Sequence, residues 1–157
     1  MQIIQDTREQ IPLNFSAFAE EIDKIQVVKL ENGDYSLAGY ENDIYIERKR
    51  STGELSTNFG VDKERFNNAL ARTKTAKWRY IICEFTLDDI LSFPENSGIP
   101  KRVWPKLRFT GKALYSFVKN VEKTHDIRFI FCENAEQAAE EVIKILRMVS
   151  THNSVDF

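Results

Sequence analysis

The sequence predicts an α/β domain in which one sheet is covered by helices on both faces, and three observations support this. Short apolar segments of high strand propensity alternate with longer segments whose apolar residues recur at helical spacing. A chain of 157 residues, 42% of them hydrophobic, can bury a core of its own. No internal repeat or low-complexity segment interrupts the alternation. We therefore expect one domain over residues 1–150, followed by a C-terminal tail at 151–157.

Strands are predicted where β-branched and aromatic residues cluster between turn residues. The strongest case is Ile44-Tyr45-Ile46-Glu47-Arg48, which follows a predicted turn at residues 39–43. Another turn is predicted at Asn32-Gly33. The predicted strands cover residues 2–5, 27–30, 35–37, 44–48, 79–85 and 127–132.

Helices are predicted where apolar residues at helical spacing follow a capping residue. Residues 92–109 hold three of the four prolines together with Gly98, so this segment is predicted to be largely a loop. The predicted helices cover 14–25, a short helix starting at Ser51 or Thr52, 62–74, a helix starting at Thr86, 110–123, and a final helix capped by Asn134.

Composition excludes several classes of protein. No apolar run approaches the roughly 20 residues that span a bilayer, and the N-terminus lacks the pattern of a signal peptide. We expect a cytoplasmic protein without a membrane partner, associated with the nucleoid if it is bacterial or phage-encoded. Cys83 and Cys132 lie in apolar segments and are predicted to be free thiols. The net charge of −2 does not itself indicate nucleic-acid binding.

The residues that carry chemistry lie around the fourth predicted strand. Side chains alternate faces along a strand, so Glu47 and Lys49 point the same way. Asp34 follows the turn at Gly33, and a hairpin would bring its carboxylate to that of Glu47. Hard divalent cations prefer carboxylate ligands, and a lysine beside them can orient water or neutralise charge in phosphodiester hydrolysis. The alternative is a charged edge strand and an unrelated turn residue.

Three motifs extend this pattern: Asp6-Thr7-Arg8-Glu9, Gly33-Asp34-Tyr35 and Glu47-Arg48-Lys49. Their order resembles that of the XPF/Hef-type nucleases, within the PD-(D/E)XK superfamily. The resemblance covers essentially the whole chain. It implies a restriction-endonuclease-like fold, with a central mixed sheet flanked by helices, and a nuclease that depends on Mg²⁺ or Mn²⁺.

The resemblance also implies roles for individual residues. Asp34 and Glu47 are expected metal ligands, Lys49 is the expected catalytic lysine, and Asp6 is a further carboxylate of the site. Arg8, Glu9 and Arg48 are expected to support the site or the scissile phosphate, or else to form a structural salt-bridge network.

The chain departs from the family pattern after the lysine. The family has an aspartate at the position of Gly53, so Glu54 is the candidate substitute as a metal ligand, or else a helix N-terminal acid favoured by the dipole. Arg65 matches an arginine of the family beside the site. A glutamine often found four residues later is Ala69 here.

Two clusters of basic residues without acids are candidate DNA contacts. One is the segment 101–112, which we call the basic segment, and the other is the segment 72–79. Aromatic residues among the cations could stack on unpaired bases, or could pack into the core. The candidate contacts of the basic segment are Lys101, Arg102, Trp104, Lys106 and Arg108.

The sequence thus supports two hypotheses. The first is a metal-dependent DNA endonuclease, with branched or partly single-stranded DNA as the substrate that the family resemblance implies. The second is a catalytically inactive DNA-binding or scaffolding subunit of a nuclease complex. Either could act as a homodimer or with a partner subunit.

Overall fold

The computed structural model describes residues 1–155, with side chains up to residue 152. Its centre is a six-stranded mixed sheet with the strand order β2-β1-β3-β4-β5-β6. Strand β1 is antiparallel to β3 and β3 is antiparallel to β4, whereas the other neighbours are parallel. The strands are β1 (Gln2–Asp6), β2 (Lys24–Val28), β3 (Tyr35–Leu37), β4 (Ile44–Lys49), β5 (Trp78–Cys83) and β6 (Arg128–Phe131).

Helices begin where side chains can cap the free backbone N–H groups. The hydroxyls of Ser51 and Thr110 accept such bonds, and Thr86 forms a reciprocal capping box with Asp89. The helices are α1 (Thr52–Phe59), α2 (Lys63–Arg72), α3 (Leu87–Leu91), α4 (Gly111–His125) and α5 (Ala135–Val155), and two 3₁₀ helices span Ser16–Glu21 and Lys101–Lys106.

The sheet is buried on both faces. On one face Ile44 and Ile46 pack in a core that includes the apolar side of α5, while on the other Tyr45 packs with residues of α1, α2 and α4. This alternation follows from the two-residue period of a strand. The predicted fold class is confirmed. Within residues 1–155, no helix is long and apolar enough to cross a membrane.

Three predicted elements differ from the structure. The helix predicted over 14–25 is wrong: the backbone is a short 3₁₀ helix with a non-helical residue at Phe18, and Ile25 belongs to β2. Ile25 is exposed on this edge strand, so its apolar character does not mark a buried helix face, and the strand predicted over 27–30 begins earlier, at Lys24. The segment 92–109 contains a 3₁₀ helix. Helix α5 extends to Val155 and so enters the predicted tail; residues 156–157 lie outside the described residues.

Candidate active site

The ends of three neighbouring strands carry the acids in the predicted motifs. Gln5 pairs with Tyr35, and Tyr35 pairs with Ile46. One residue further along, the backbone N–H of Asp6 donates to the carbonyl of Asp34 at 2.9 Å, and that of Asp34 donates to the carbonyl of Ile46 at 2.8 Å. The pairing therefore places Asp6, Asp34 and Glu47 side by side across the sheet.

Gly33 makes this arrangement possible. Its φ of +83° lies in the left-handed region, and a Cβ at this position would lie 2.9 Å from the carbonyl oxygen of Ile46. Both constraints favour glycine. The turn predicted at Asn32-Gly33 thus sets the close approach of Asp34 to β4.

A cleft of about 380 Å³ opens over these strand ends. It brings together six of the residues predicted for the site and does not include Glu9, Arg48, Glu54 or any residue of the basic segment. The six are Asp6, Arg8, Asp34, Glu47, Lys49 and Arg65.

Asp34 and Glu47 repel one another across the β3–β4 pair. Burial and the neighbouring Glu47 raise the pKa of Asp34 to about 8, although the backbone N–H of Arg48 donates to its Oδ2 at 2.7 Å. The Tyr45 hydroxyl donates to Glu47 Oε2 at 3.2 Å, and burial together with Glu47 raises the pKa of Tyr45. The phenol therefore stays protonated as a donor to Glu47.

Lys49 is the buried cation of the cleft, and its side chain is only 7% exposed. Its Nζ lies 3.3 Å from Glu47 Oε1 and 3.7 Å from Glu54 Oε1. The ring of Phe66 on α2 is 5.5 Å from the same atom, at a distance typical of cation–π contacts. These contacts hold the ammonium between the two glutamates.

Asp6 is saturated with hydrogen bonds. Its oxygens accept from the backbone N–H and Nε of Arg8, at 3.1 and 2.7 Å, and from the Leu30 N–H at 2.8 Å. Burial opposes ionisation, but these bonds outweigh it and lower the pKa of Asp6. The carboxylate fixes the guanidinium of Arg8, whose side chain is 63% exposed at the cleft.

Arg48 lies on the opposite face of β4 from Glu47 and Lys49. Its guanidinium pairs with Glu9 Oε2 at 2.9 Å and Glu84 Oε1 at 2.7 Å, and also donates to the Ile11 carbonyl. The Tyr35 hydroxyl donates to Glu9 at 2.8 Å. This geometry corresponds to the salt-bridge alternative for Glu9 and Arg48, because both side chains are engaged beneath the sheet.

The contacts of Gly53 explain the departure from the family pattern. Its N–H donates to the Ser97 carbonyl at 3.2 Å, and a Cβ at this position would lie 2.5 Å from that oxygen. An aspartate therefore cannot fit without displacing the segment around Ser97. Glu54, on the first turn of α1, contacts Lys49 and accepts from the Arg50 N–H at 3.1 Å.

The donor set of the cleft suits a hard divalent cation. Within the described residues, no group of three or more histidine, cysteine or acidic side chains is arranged to hold a metal ion. Mg²⁺, however, is usually held by one or two carboxylates, with waters and substrate phosphates as the other ligands. Asp34 and Glu47 meet this requirement, and Asp34 Oδ1 accepts no hydrogen bond from any described residue.

The basic clusters lie outside this cleft. In the basic segment, Lys101, Arg102, Lys106 and Arg108 are exposed, whereas Trp104 is half-buried and its indole N–H donates to the Ile99 carbonyl at 2.9 Å. In the second cluster, Lys77 contacts Trp78 and His152, and Arg79 pairs with Asp126 at 3.4 Å. Only Arg72 of that cluster lines the cleft.

Three further residues of the site, Tyr45, Glu84 and Asn58, were not predicted from the sequence, and Tyr35 was named only as part of a motif. Tyr45 was detectable, because it precedes Glu47 by two residues on the same strand face. The contacts of Glu84 with Arg48 and of Tyr35 with Glu9 gave no such signal, because these partners are distant in sequence. Asn58 lines the cleft with a buried Oδ1 that has no hydrogen-bond partner among the described residues.

No protein-family model and no curated protein matches the chain. Solved structures do match it, among them XPF from Aeropyrum pernix and the same protein in complex with DNA. Each of these two has a TM-score of 0.67 and 18% sequence identity, and each match covers 96% of this chain. The chain therefore has the fold of an XPF-type nuclease domain, and it spans 65% of the length of those structures.

Proposed function

We propose that the chain is a divalent-metal-dependent endonuclease that hydrolyses phosphodiester bonds in branched or structured DNA, such as a flap, fork or junction. The observation that carries the proposal is the convergence of Asp34, Glu47 and Lys49 in one cleft at the strand ends. The fold is that of a nuclease domain, and one of the matching structures contains DNA. The preference for branched DNA rests on the resemblance of the motifs.

Asp34 and Glu47 would hold Mg²⁺ or Mn²⁺, and Glu54 is the candidate third ligand. When bound, the cation would polarise the phosphate and acidify a water molecule. The two carboxylates lie together although their charges repel, and burial together with this repulsion raises the pKa of Asp34. A cation would remove that repulsion, so the unfavourable apposition has a function in this proposal.

Lys49 would act on the reacting atoms directly. Its Nζ is fixed by Glu47 and Glu54 and has three N–H donors, so it can donate to the attacking water or to a phosphate oxygen. A buried ammonium stabilises developing negative charge more strongly than an exposed one, because the local dielectric is lower. We expect its loss to abolish cleavage.

Arg8 would bind a phosphate next to the reacting one. Asp6 holds its Nε and Nη2, while Nη1 has no hydrogen bond to any described residue. The guanidinium is thus oriented by Asp6 and still open to an anion at the cleft. Asp6 is in this proposal a positioning residue, because its oxygens already accept bonds from Arg8 and Leu30.

The testing experiment is cleavage of end-labelled flap, fork, junction and plain duplex DNA with Mg²⁺ or Mn²⁺. We expect the wild type to cut a branched substrate, and both Asp34→Asn and Lys49→Ala to lose cutting while they retain DNA binding. Isothermal titration of Mn²⁺ gives an independent readout, in which Asp34→Asn loses the binding that Lys49→Ala keeps. Lys123→Ala is the control, because Lys123 is an exposed cation of α4 that does not line the cleft and lies outside both basic clusters.

Each outcome decides between the hypotheses. A fully active Asp34→Asn enzyme would refute the metal-site assignment. Binding of branched DNA without any cutting by the wild type would favour the inactive DNA-binding or scaffolding subunit, or an enzyme that requires a partner subunit. Mixing with a candidate partner, or measuring activity against protein concentration to detect a homodimer, would separate these two cases.

A further inference from the structure

Arg72, the last residue of α2, lies where three clefts adjoin. It lines the active cleft, a groove along the outside of α2, and a further groove of about 440 Å³. Its side chain is exposed and forms no hydrogen bond or ion pair with any described residue. An unpaired guanidinium at the mouth of a cleft is suited to bind a phosphate.

The further groove continues the active cleft. Both are lined by Glu31, Asn32, Tyr45 and Arg72. Beyond Arg72 the groove is bounded by the segment after β2, the turn between β3 and β4, and the connection from α2 to β5. These four residues form the boundary that the two spaces share, so a ligand that fills the active cleft reaches the edge of this groove at Arg72. We call it the exit groove.

The lining of the exit groove mixes polar and apolar residues, and its charges balance. Lys29 and Arg72 are its cations, and Glu31 and Glu41 are its acids. A run of phosphates would meet two carboxylates here, so the groove does not suit a duplex backbone. One phosphate at Arg72, followed by groups that donate and accept hydrogen bonds, fits the charges better.

The remaining side chains suit the edges of nucleobases. Asn32, Asn42 and Thr75 present amide and hydroxyl groups, which can each donate and accept. Unpaired bases expose the edges that pairing would hide. A volume of about 440 Å³ is that of a small-molecule pocket, and accommodates on the order of one or two nucleotides.

The spacing on α2 agrees with a strand running along the cleft. Arg65 and Arg72 are seven residues apart, so they lie on one side of the helix about two turns, or roughly 10 Å, apart. Each strand of a duplex carries one phosphate about every 3.4 Å along the helix axis, so a separation of roughly 10 Å spans more than one phosphate. The two guanidiniums can thus contact the same strand at separate phosphates.

We propose that the exit groove binds one or two unpaired nucleotides of the cleaved strand, with Arg72 on the phosphate at the boundary between groove and active cleft. The inference rests on the proposed nuclease function and names the feature of the substrate that the site selects. A groove of about 440 Å³ with two carboxylates in its lining suits a short unpaired segment better than a duplex, and the proposed preference for branched DNA would follow from this.

The test measures DNA affinity in the Asp34→Asn background, where no cleavage occurs. The substrates are forks in which the unpaired arm is lengthened one nucleotide at a time. We expect affinity to rise over the first one or two nucleotides and then to level off. Arg72→Ala should remove this rise and weaken binding about tenfold, a loss typical of one charge-assisted contact.

Two further variants sharpen the test. Lys123→Ala removes an exposed cation of α4 that lines none of the three clefts and lies outside both basic clusters, and it should keep the dependence on arm length. Thr75→Trp fills the exit groove without removing a charge, and should abolish that dependence. Equal effects of Arg72→Ala and Lys123→Ala, or affinity independent of arm length, would overturn the proposal.

Cleavage by the wild type, measured in parallel, separates this proposal from the proposed function. If the wild type cuts forks but DNA affinity does not depend on the length of the unpaired arm, the exit-groove proposal is refuted and the proposed nuclease function stands. If the wild type cuts nothing, but Arg72→Ala alone removes the dependence on arm length, the groove stands as a DNA-binding site and the nuclease assignment fails.

Discussion

Replacing Asp34 by asparagine should make the metal-free protein more stable. The carboxyl titrates near 3.9 in an unfolded chain and at about 8 in the folded protein, because burial and Glu47 disfavour its charge. The folded state therefore binds more protons between these values, and stability falls as the pH rises from about 4 to about 8. Above about 8 this contribution no longer changes.

The size of the effect follows from the same pKa values. At pH 7 the solution is about three pH units above the pKa of Asp34 in the unfolded chain. Each unit corresponds to about 1.4 kcal/mol, so this carboxyl lowers the free energy of unfolding by about 4 kcal/mol. Asparagine keeps the shape of the side chain and can accept the Arg48 N–H. We expect Asp34→Asn to raise the free energy of unfolding by about 2 to 4 kcal/mol, and Tm by about 5 to 10 °C.

The assay is urea and thermal unfolding in EDTA from pH 5 to pH 9. Asp6→Asn is the matched control with the opposite sign, because hydrogen bonds from Arg8 and Leu30 lower the pKa of Asp6. That stabilisation is present above the unfolded pKa and is lost as the pH falls through the folded pKa. Asp6→Asn should destabilise by about 1 to 3 kcal/mol at pH 7. An Asp34→Asn protein that is less stable than the wild type at pH 7 in EDTA would refute the reasoning.

Three other predictions concern positions around the cleft. Gly53→Asp introduces the aspartate of the family motif, and it should destabilise the fold and fail to raise cleavage, because its Cβ would meet the Ser97 carbonyl. Melting and cleavage assays test this, and a variant that is more active and equally stable would contradict it. Glu54→Gln should weaken Mn²⁺ binding by calorimetry and slow cleavage if it is a ligand, and unchanged values place it outside the site. Neutralising three exposed cations of the basic segment, Lys101, Arg102 and Lys106, should reduce DNA affinity and make it less dependent on salt. If the salt dependence of the affinity stays unchanged, DNA binds elsewhere.

Sequence periodicity was sufficient to predict most strands of the sheet and to place Glu47 and Lys49 on the same strand face. Alternation on β4 puts these two side chains on one face, and the glycine turn accounts for the approach of Asp34. Both features depend on neighbours within a few residues. Such local rules are carried by the sequence itself.

What the sequence did not predict depends on contacts between distant segments. The pairing of Arg48 with Glu84 requires the parallel order of β4 and β5, and the displacement of an aspartate from position 53 depends on a loop more than forty residues away. The start of the edge strand β2 was misjudged for a related reason. Ile25 fits the helical period of the preceding segment, so the strand was predicted to begin only at residue 27, whereas its pairing with β1 begins at Lys24.

The ion pairs of Arg48 beneath the sheet bear on any attempt to transplant this site. Copying Asp34, Glu47 and Lys49 onto another β-hairpin would supply the reacting groups without the anchors of their strand. Arg48, Glu9 and Glu84 secure the opposite face, so a host protein would have to accommodate a buried cation with two acids there. A graft must therefore carry the residues of both faces of the strand. A design that transfers only the cleft residues should bind metal weakly.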